Sequence, residues 1–342
     1  MLQFIKNFCK IKLMKVKFWG TRGSLPSTFT QEHLQKYLKQ GIAYALSPET
    51  GIKNGQSIEE YIESMPDNLK CTCGVNTSCI EIESGIENEY IICDAGTGLR
   101  DLGISYAKTG VLAKPSIYHL FLTHLHWDHI QGFPFFAPAY VPGNKIIIHG
   151  YHHNIEEHFT KQMNPPCFPV PFKALGAQII FDIKLPWENF DVCGFEIKAI
   201  QQNHPGISFG YRFEKNNKVV VYSTDCEHAE NAHKDGYPFI EFFKDADMLI
   251  FDAMYSLATA SVIKTNWGHS NNFMGVKLAS KAHVKRLFLF HHEPTSDDDA
   301  LRQFLLNTKL YTDFYHRECK NKIDARYPTE ISLAHDGQEV EI

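Results

Sequence analysis

The stretch "LTHLHWDHIQG", Leu122–Gly132, sets three histidines and an aspartate into the six positions from His124 to His129, directly after an apolar run. His124 and His126 alternate along extended chain and can point the same way, while Asp128 and His129 follow as the chain turns. Four ligand-type side chains can therefore converge from one short loop. An imidazole and carboxylate set without thiolate suits zinc, with manganese and iron as alternatives. A lone histidine is usually structural, but four ligand types at H-x-H-x-D-H spacing point to a metal.

Four side chains cannot close two metal sites, so a dinuclear centre needs further ligands downstream. The sequence offers them in order, each after a β-rich run: His204 in "IQQNHPG", Asp225 in "VVVYSTDCEH", and His291 in "LFLFHHEP" with His292 beside it. The wider pattern is of the same kind. "KVKFWGTRGS", "SCIEIES", "EYIICDAGTG", "IYHLFLTHLH", "KIIIHG", "FEIKAIQQNH", "KVVVYSTD", "DMLIFDAMYS" and "RLFLFHHEP" read as strands that end in polar or glycine-containing loops. A layered α/β protein places its chemistry there, because strand-end loops are free of ladder constraints.

Helical spacing appears in "SNNFMGVKLASKAH" and in "TSDDDALRQFLLNTKLYTDFYHRE", where Thr295 or Ser296 is the expected N-cap and Asp297, Asp298 and Asp299 read as first-turn carboxylates. Residues 27–70 are polar and read as a helical insertion between two strands, a lid or a dimer contact. The absence of repeats and low-complexity linkers gives one domain over 1–342, with 1–13 a possible extension if Met14 is the start.

At 342 residues, 44% hydrophobic and 21% charged, the chain can bury a large core. A formal charge of −5 leaves no global basic footprint, which disfavours tight binding to long nucleic acid. No apolar run approaches the roughly 20 residues of a membrane span, and the nine cysteines are scattered as in a reducing cytoplasm. Cys71, Cys73 and Cys79 form a cluster that lacks a fourth ligand, so they read as reduced thiols.

The H-x-H-x-D-H loop, the later His, Asp and His, and the preceding "IICDAGTGLRDLG" resemble the metallo-β-lactamase superfamily. The resemblance implies an αββα sandwich, two mixed β-sheets with helices on their outer faces. It implies that His124, His126 and His204 hold one divalent ion, that Asp128, His129 and His291 hold the other, and that Asp225 bridges them. Asp94 would steady the ligand loop. "FWGTRGSLP", the aspartate at 225 and "WGHSN" look most like the phosphodiesterase branch that includes ribonuclease Z. There His269 matches a histidine that assists the leaving group, and Asp252 an acidic residue that pairs with it. The lactamases' cysteine ligand falls where this chain has Asp225, and the basic arm of ribonuclease Z has no counterpart between Gly132 and His204.

Two cations roughly 3.5 to 4 Å apart can share a water and lower its pKa from about 15.7 toward 7. The expected activity is thus hydrolysis of a small or cyclic phosphodiester by a metal-bridging hydroxide, with Asp128, His269 and Asp252 in the catalytic machinery and two ions, zinc first, as cofactors. Alternatives are an acyl hydrolase on the same centre, in which His269 is dispensable, and a non-catalytic metal sensor; a homodimer is compatible with either. His149, His152, His153 and His158 in "HGYHHNIEEH" read as a surface cluster, and Phe133, Phe135, Phe136 and Tyr140 as core.

Overall fold

A computed structural model describes residues 14–185, 188–229, 231–232, 234, 236–256, 266–321 and 323–342. Residues 1–13, the possible extension, lie outside the described residues. Among the described residues, fourteen strands form two sheets of seven. The first holds β1 (Lys15–Gly20), β2 (Cys79–Ile82), β3 (Glu89–Cys93), β4 (Ile117–Phe121), β5 (Lys145–Gly150), β6 (Gln178–Ile183) and β14 (Glu339–Glu341), in the order β14-β1-β2-β3-β4-β5-β6. The second holds β7 (Phe190–Val192), β8 (Phe195–Gln202), β9 (Ser208–Lys215), β10 (Lys218–Ser223), β11 (Met248–Asp252), β12 (Arg286–Phe290) and β13 (Glu330–Leu333), in the order β13-β12-β11-β10-β9-β8-β7.

The period-2 alternation of strands explains the layers. In β4, Phe121 joins the core between the sheets with Phe18, Ile91, Phe195, Tyr211, Tyr222 and Phe290. Tyr118 and Leu120 face outward and pack under α4 (Gly98–Lys108) with Leu99 and Leu102. On the far side Leu249, Phe251, Leu287 and Leu289 meet α7 (Pro238–Phe243), α8 (Asn272–Lys281) and α9 (Asp298–Cys319). The order is therefore helix, sheet, sheet, helix, as the resemblance implied.

β3, β4, β5 and β6 run parallel to one another, and so do β10, β11, β12 and β13. Parallel neighbours bring their C-terminal ends to one edge, which is where the chemistry-bearing residues fall. Five strands escape the sequence reading: β6, β7, β9, β13 and β14. β6 and β14 are edge strands with exposed faces, β7 and β14 have three residues each, and Gly210 interrupts β9.

Residues 27–70 carry α1 (Gln31–Leu46), α2 (Ile58–Ser64) and α3 (Asp67–Lys70) between β1 and β2. α1 buries no residue and leaves Leu34, Leu38, Ile42 and Leu46 exposed along one stripe. It is tied to α9 through Tyr37, whose hydroxyl donates to Asp298, and through Lys36 beside Asp299. The N-cap of α9 is Asp297, which accepts from the Ala300 N–H, and not Thr295 or Ser296. Asp298 and Asp299 stand in the first turn as expected, and Asp298 is buried there, accepting from the Cys73 N–H at 3.0 Å. Among the described residues no helix is long and apolar enough to cross a membrane.

Candidate metal centre

Three site residues sit just past strand ends in left-handed backbone: Asp94 after β3 (φ 60°), Asp225 after β10 (φ 51°) and His291 after β12 (φ 60°). Non-glycine residues are costly there and persist where surrounding structure holds them, commonly at functional sites. The turn at each strand end directs an ionisable side chain into the space between the sheets' edges.

One ligand atom each from Asp128, His129, Asp225 and His291 falls within a 4.8 Å sphere of mutual distance, and all four residues are buried. Asp128 Oδ2 is 3.2 Å from His129 Nε2 and 3.2 Å from His291 Nε2. Asp225 Oδ1 is likewise 3.2 Å from each of those nitrogens, and the nitrogens are 3.3 Å apart. Those are five of the six edges of a tetrahedron. A regular one with edges near 3.3 Å has its centre about 2 Å from every corner, the bond length zinc makes to nitrogen and oxygen.

The second set is His124, His126 and His204. His126 Nδ1 lies 3.1 Å from His204 Nε2, and Asp225 turns its other oxygen to this side, Oδ2 being 3.6 Å from His124 Nε2 and 3.7 Å from His204 Nε2. The buried His124 Nε2 makes no hydrogen bond. Nitrogens aimed at one another around an orphaned buried one fit a cation far better than they fit each other. Buried carboxylates at 94, 128, 225 and 252 add negative charge that a divalent ion would balance.

The outward ring atoms are held by neighbours, which fixes the tautomers. His129 Nδ1 donates to Asp94 Oδ2 at 2.7 Å, and Asp94 also accepts from the Thr123 N–H and from the Tyr222 hydroxyl. His204 Nδ1 donates to the Gly268 carbonyl at 2.9 Å. Such partners orient metal-binding imidazoles. Burial pulls the His129 imidazole down, but the carboxylates of Asp225, Asp128 and Asp94 outweigh it and hold it well above its ordinary value. Burial, then the neighbouring His129, holds His124 well below.

His269 lies beside both sets. Its Nδ1 is 3.0 Å from Asp252 Oδ2 and 3.9 Å from Asp225 Oδ2, and its ring stacks on His291. Asp252 also accepts from the Cys226 and Met254 N–H groups, so it cannot turn away. Burial lowers the His269 imidazole, but the Asp252 carboxylate outweighs it and raises the group to about 9. His269 also joins His204 and Asp225, and Asp252 and His291, as a grouped donor.

All the sequence candidates thus meet at one sheet edge. The doublet resolves in favour of His291, since His292 Nε2 donates to the Ala334 carbonyl at 2.8 Å, away from the cluster. Sequence reasoning missed Gly23 and Ser24: a Cβ on Gly23 would stand 2.4 Å from the His291 ring, and the Ser24 N–H donates to Asp128 Oδ2 at 2.7 Å. It also missed Gly268, where a Cβ would lie 2.3 Å from His204 Nδ1. Their signal was "TRGS" and "WGHS", glycine beside a polar residue after a strand or ahead of a helix. Two readings are corrected. His149 is not in a surface cluster but buried in β5, because its position in the strand faces inward. Phe135 and Tyr140 are partly exposed, while Phe133 and Phe136 are core.

Fold and donor set together define a class, a metal-dependent hydrolase with its site at the strand-end edge. A beta-lactamase superfamily domain matches residues 89–292, more than half of the chain, and the protein belongs to that superfamily. Within it the likeness runs to the ribonuclease Z-like branch. Ribonuclease Z of Haloarcula marismortui is 30% identical over 161 residues, 45% of this chain and 46% of that protein, so the chain spans about half of that relative's length. Ribonuclease Z of Picrophilus torridus is 23% identical over 275 residues, covering 67% of this chain and 84% of the relative. Among solved structures, the metallo-beta-lactamase fold protein YhfI of Bacillus subtilis superposes with a TM-score of 0.59 at 19% identity, over 96% of this chain and 99% of that one.

Proposed function

We propose that the protein is a dinuclear phosphodiesterase acting on a small or cyclic phosphodiester. His124, His126 and His204 hold one ion, Asp128, His129 and His291 the other, and Asp225 reaches both; zinc suits the donors best, with manganese and iron as alternatives. The observation that carries the reading is the His269–Asp252 pair, 3.0 Å apart and set against both ligand groups. When bound, the ions supply positive charge for a phosphoryl oxygen and lower the pKa of a water. The chain does the rest. His269 Nδ1 is committed to Asp252, so Nε2 is the edge left to carry a proton to the departing alkoxide, and Asp252 keeps the imidazole charged. An acyl substrate has less need of that acid.

A nucleic-acid phosphodiester is the second reading, supported by the name of the two relatives. Against it stand the net charge of −5 and the stretch after Gly132, where residues 145–150, 178–183, 190–192 and 195–202 form β5 to β8 with α6 (Ile155–Gln162) after β5, and where no basic arm stands among the described residues. We read the chain as one domain with 27–70 inserted; the exposed apolar stripe of α1 and its bonds to α9 support a contact surface for a second copy over a lid.

The test is hydrolysis of bis-p-nitrophenyl phosphate, cyclic nucleotides, a transfer RNA precursor and a lactone by zinc- or manganese-loaded protein. Turnover of the first two sustains the proposal. Turnover of the RNA alone among phosphodiesters moves it to the second reading, and turnover of the lactone alone overturns both.

A further inference from the structure

Toward the N-terminal ends of β3 and β4, a separate group of donors converges in the layer between the sheets. Glu89 opens β3, His119 is the middle residue of β4, and Cys193 lies in the turn joining β7 to β8. One donor atom from each lies within 4.8 Å of the others. Cys193 Sγ is 3.1 Å from Glu89 Oε2, and His119 Nε2 is 3.6 Å from the same oxygen. His119 precedes His124 by five residues, roughly 16 Å of extended chain, and none of the three belongs to the centre described above.

The tautomers decide what this cluster takes. Asp182 Oδ2 is 2.7 Å from His149 Nδ1. A carboxylate only accepts, so Nδ1 carries the hydrogen. Burial holds His149 below the ordinary imidazole value, which leaves its Nε2 bare. That nitrogen is 3.1 Å from His119 Nδ1, which must donate to it. His119 then presents a lone pair from Nε2 toward the Glu89 carboxylate, a second pure acceptor. Two acceptors facing each other need a positive charge between them. A proton does not fill the gap at neutral pH, because burial and His149 push the His119 imidazole down to about 4.

We propose that Glu89 Oε2, His119 Nε2 and Cys193 Sγ form a separate binding site for Zn2+ or a similar thiophilic divalent ion. The inference does not rest on the proposed phosphodiesterase activity. Tetrahedral zinc, with bonds of about 2.0 Å to nitrogen and oxygen and about 2.3 Å to sulfur, sets donors roughly 3.3 to 3.5 Å apart; 3.1 and 3.6 Å bracket that span. The Asp182–His149–His119 chain is the kind of support a metal-binding imidazole has. Binding releases the Sγ–H hydrogen as a proton to solvent as the sulfur–metal bond forms. The turn supplies a further sign. Cys193 and Gly194 have φ of 53° and 75° in a two-residue hairpin between paired Val192 and Phe195, a first position that favours asparagine or glycine over cysteine. Lys215 pins the turn by donating to the Cys193 carbonyl at 2.6 Å and to the Ser84 carbonyl at 2.7 Å.

Cobalt separates this site from the other, whose donors are imidazoles and carboxylates. The full-length protein loaded with Co2+ is expected to show a thiolate-to-cobalt charge-transfer band. Cys193→Ser should abolish the band, lower the metal content by one per chain and leave hydrolysis intact, while Cys226→Ser, beside Asp225, should keep the band. His119→Gln should weaken cobalt binding at this site at least tenfold with the thiol still present. Absence of the band at saturating cobalt, or its survival in Cys193→Ser, overturns the proposal. Should Cys193→Ser not fold, alkylation of Cys193 in the unaltered protein decides: at least tenfold slowing by Zn2+, reversed by a chelator, supports the site, and equal rates refute it.

Discussion

Asp252 Oδ2 lies 3.0 Å from His269 Nδ1 while both Asp252 oxygens are pinned by backbone N–H groups of Cys226 and Met254. A carboxylate so fixed dictates the direction of the imidazole, which lies against His291 and His204. Both residues are buried beside the ligand cluster, which is where the proposed proton donor would act.

Replacing His269 by Ala should lower kcat on an alkyl phosphodiester by about 10²- to 10⁴-fold, the usual contribution of a positioned acid. On bis-p-nitrophenyl phosphate the loss should be much smaller, since p-nitrophenolate leaves without a proton. Asp252→Asn should show the same dependence on leaving group in weaker form, with metal content unchanged. Equal losses on both substrates would assign His269 to metal binding instead.

Asp225 divides its oxygens between the two ligand sets, at 3.2 Å on one side and 3.6 to 3.7 Å on the other. Asp225→Ala should therefore empty both sites and abolish hydrolysis, whereas Asp128→Ala should spare the ion held by His124, His126 and His204. Metal analysis after gel filtration distinguishes the two. Undiminished metal content in Asp225→Ala removes the bridge assignment.

The proposed ligands were legible because each falls just past a β-rich run, so residue type and strand end coincide at His204, Asp225 and His291. The supports were not. Gly23 acts by lacking a side chain, Ser24 through a backbone N–H, and Tyr222 through a hydroxyl that reaches Asp94 from the opposite sheet. Such roles exist only once strands distant in the sequence have been brought to one edge. The buried His119–His149 pair stayed hidden for the same reason: strand periodicity places both inward, but only pairing β4 with β5 brings the rings together.

A methyl group at Gly23 would sit 2.4 Å from His291 Cε1 and Nδ1, a distance at which something must shift. Gly23→Ala should displace the His291 ring and lower the metal content by about one ion per chain relative to the unaltered protein, without emptying the His124, His126 and His204 set. Metal content measured alongside the melting temperature checks this. An unchanged metal content would mean that the β1 loop yields more readily than the imidazole.

Burial of the Asp336 carboxyl raises its pKa from the ordinary carboxylate value to about 6, even though it accepts from the Asn76 and Val75 N–H groups at 2.9 Å and from the Thr21 hydroxyl at 3.1 Å. The sign follows from linkage: a carboxyl that holds its proton more tightly when folded stabilises the protein fully below about pH 4, and that stability is lost as pH rises through about 6. Asp336→Asn keeps the shape and an acceptor but cannot titrate. The melting temperature of the unaltered protein, measured relative to this variant, should therefore fall between pH 4 and pH 6.5 and level off above. A difference that stays flat across that range, or rises with pH, would show that the carboxylate is charged throughout and held by its three donors.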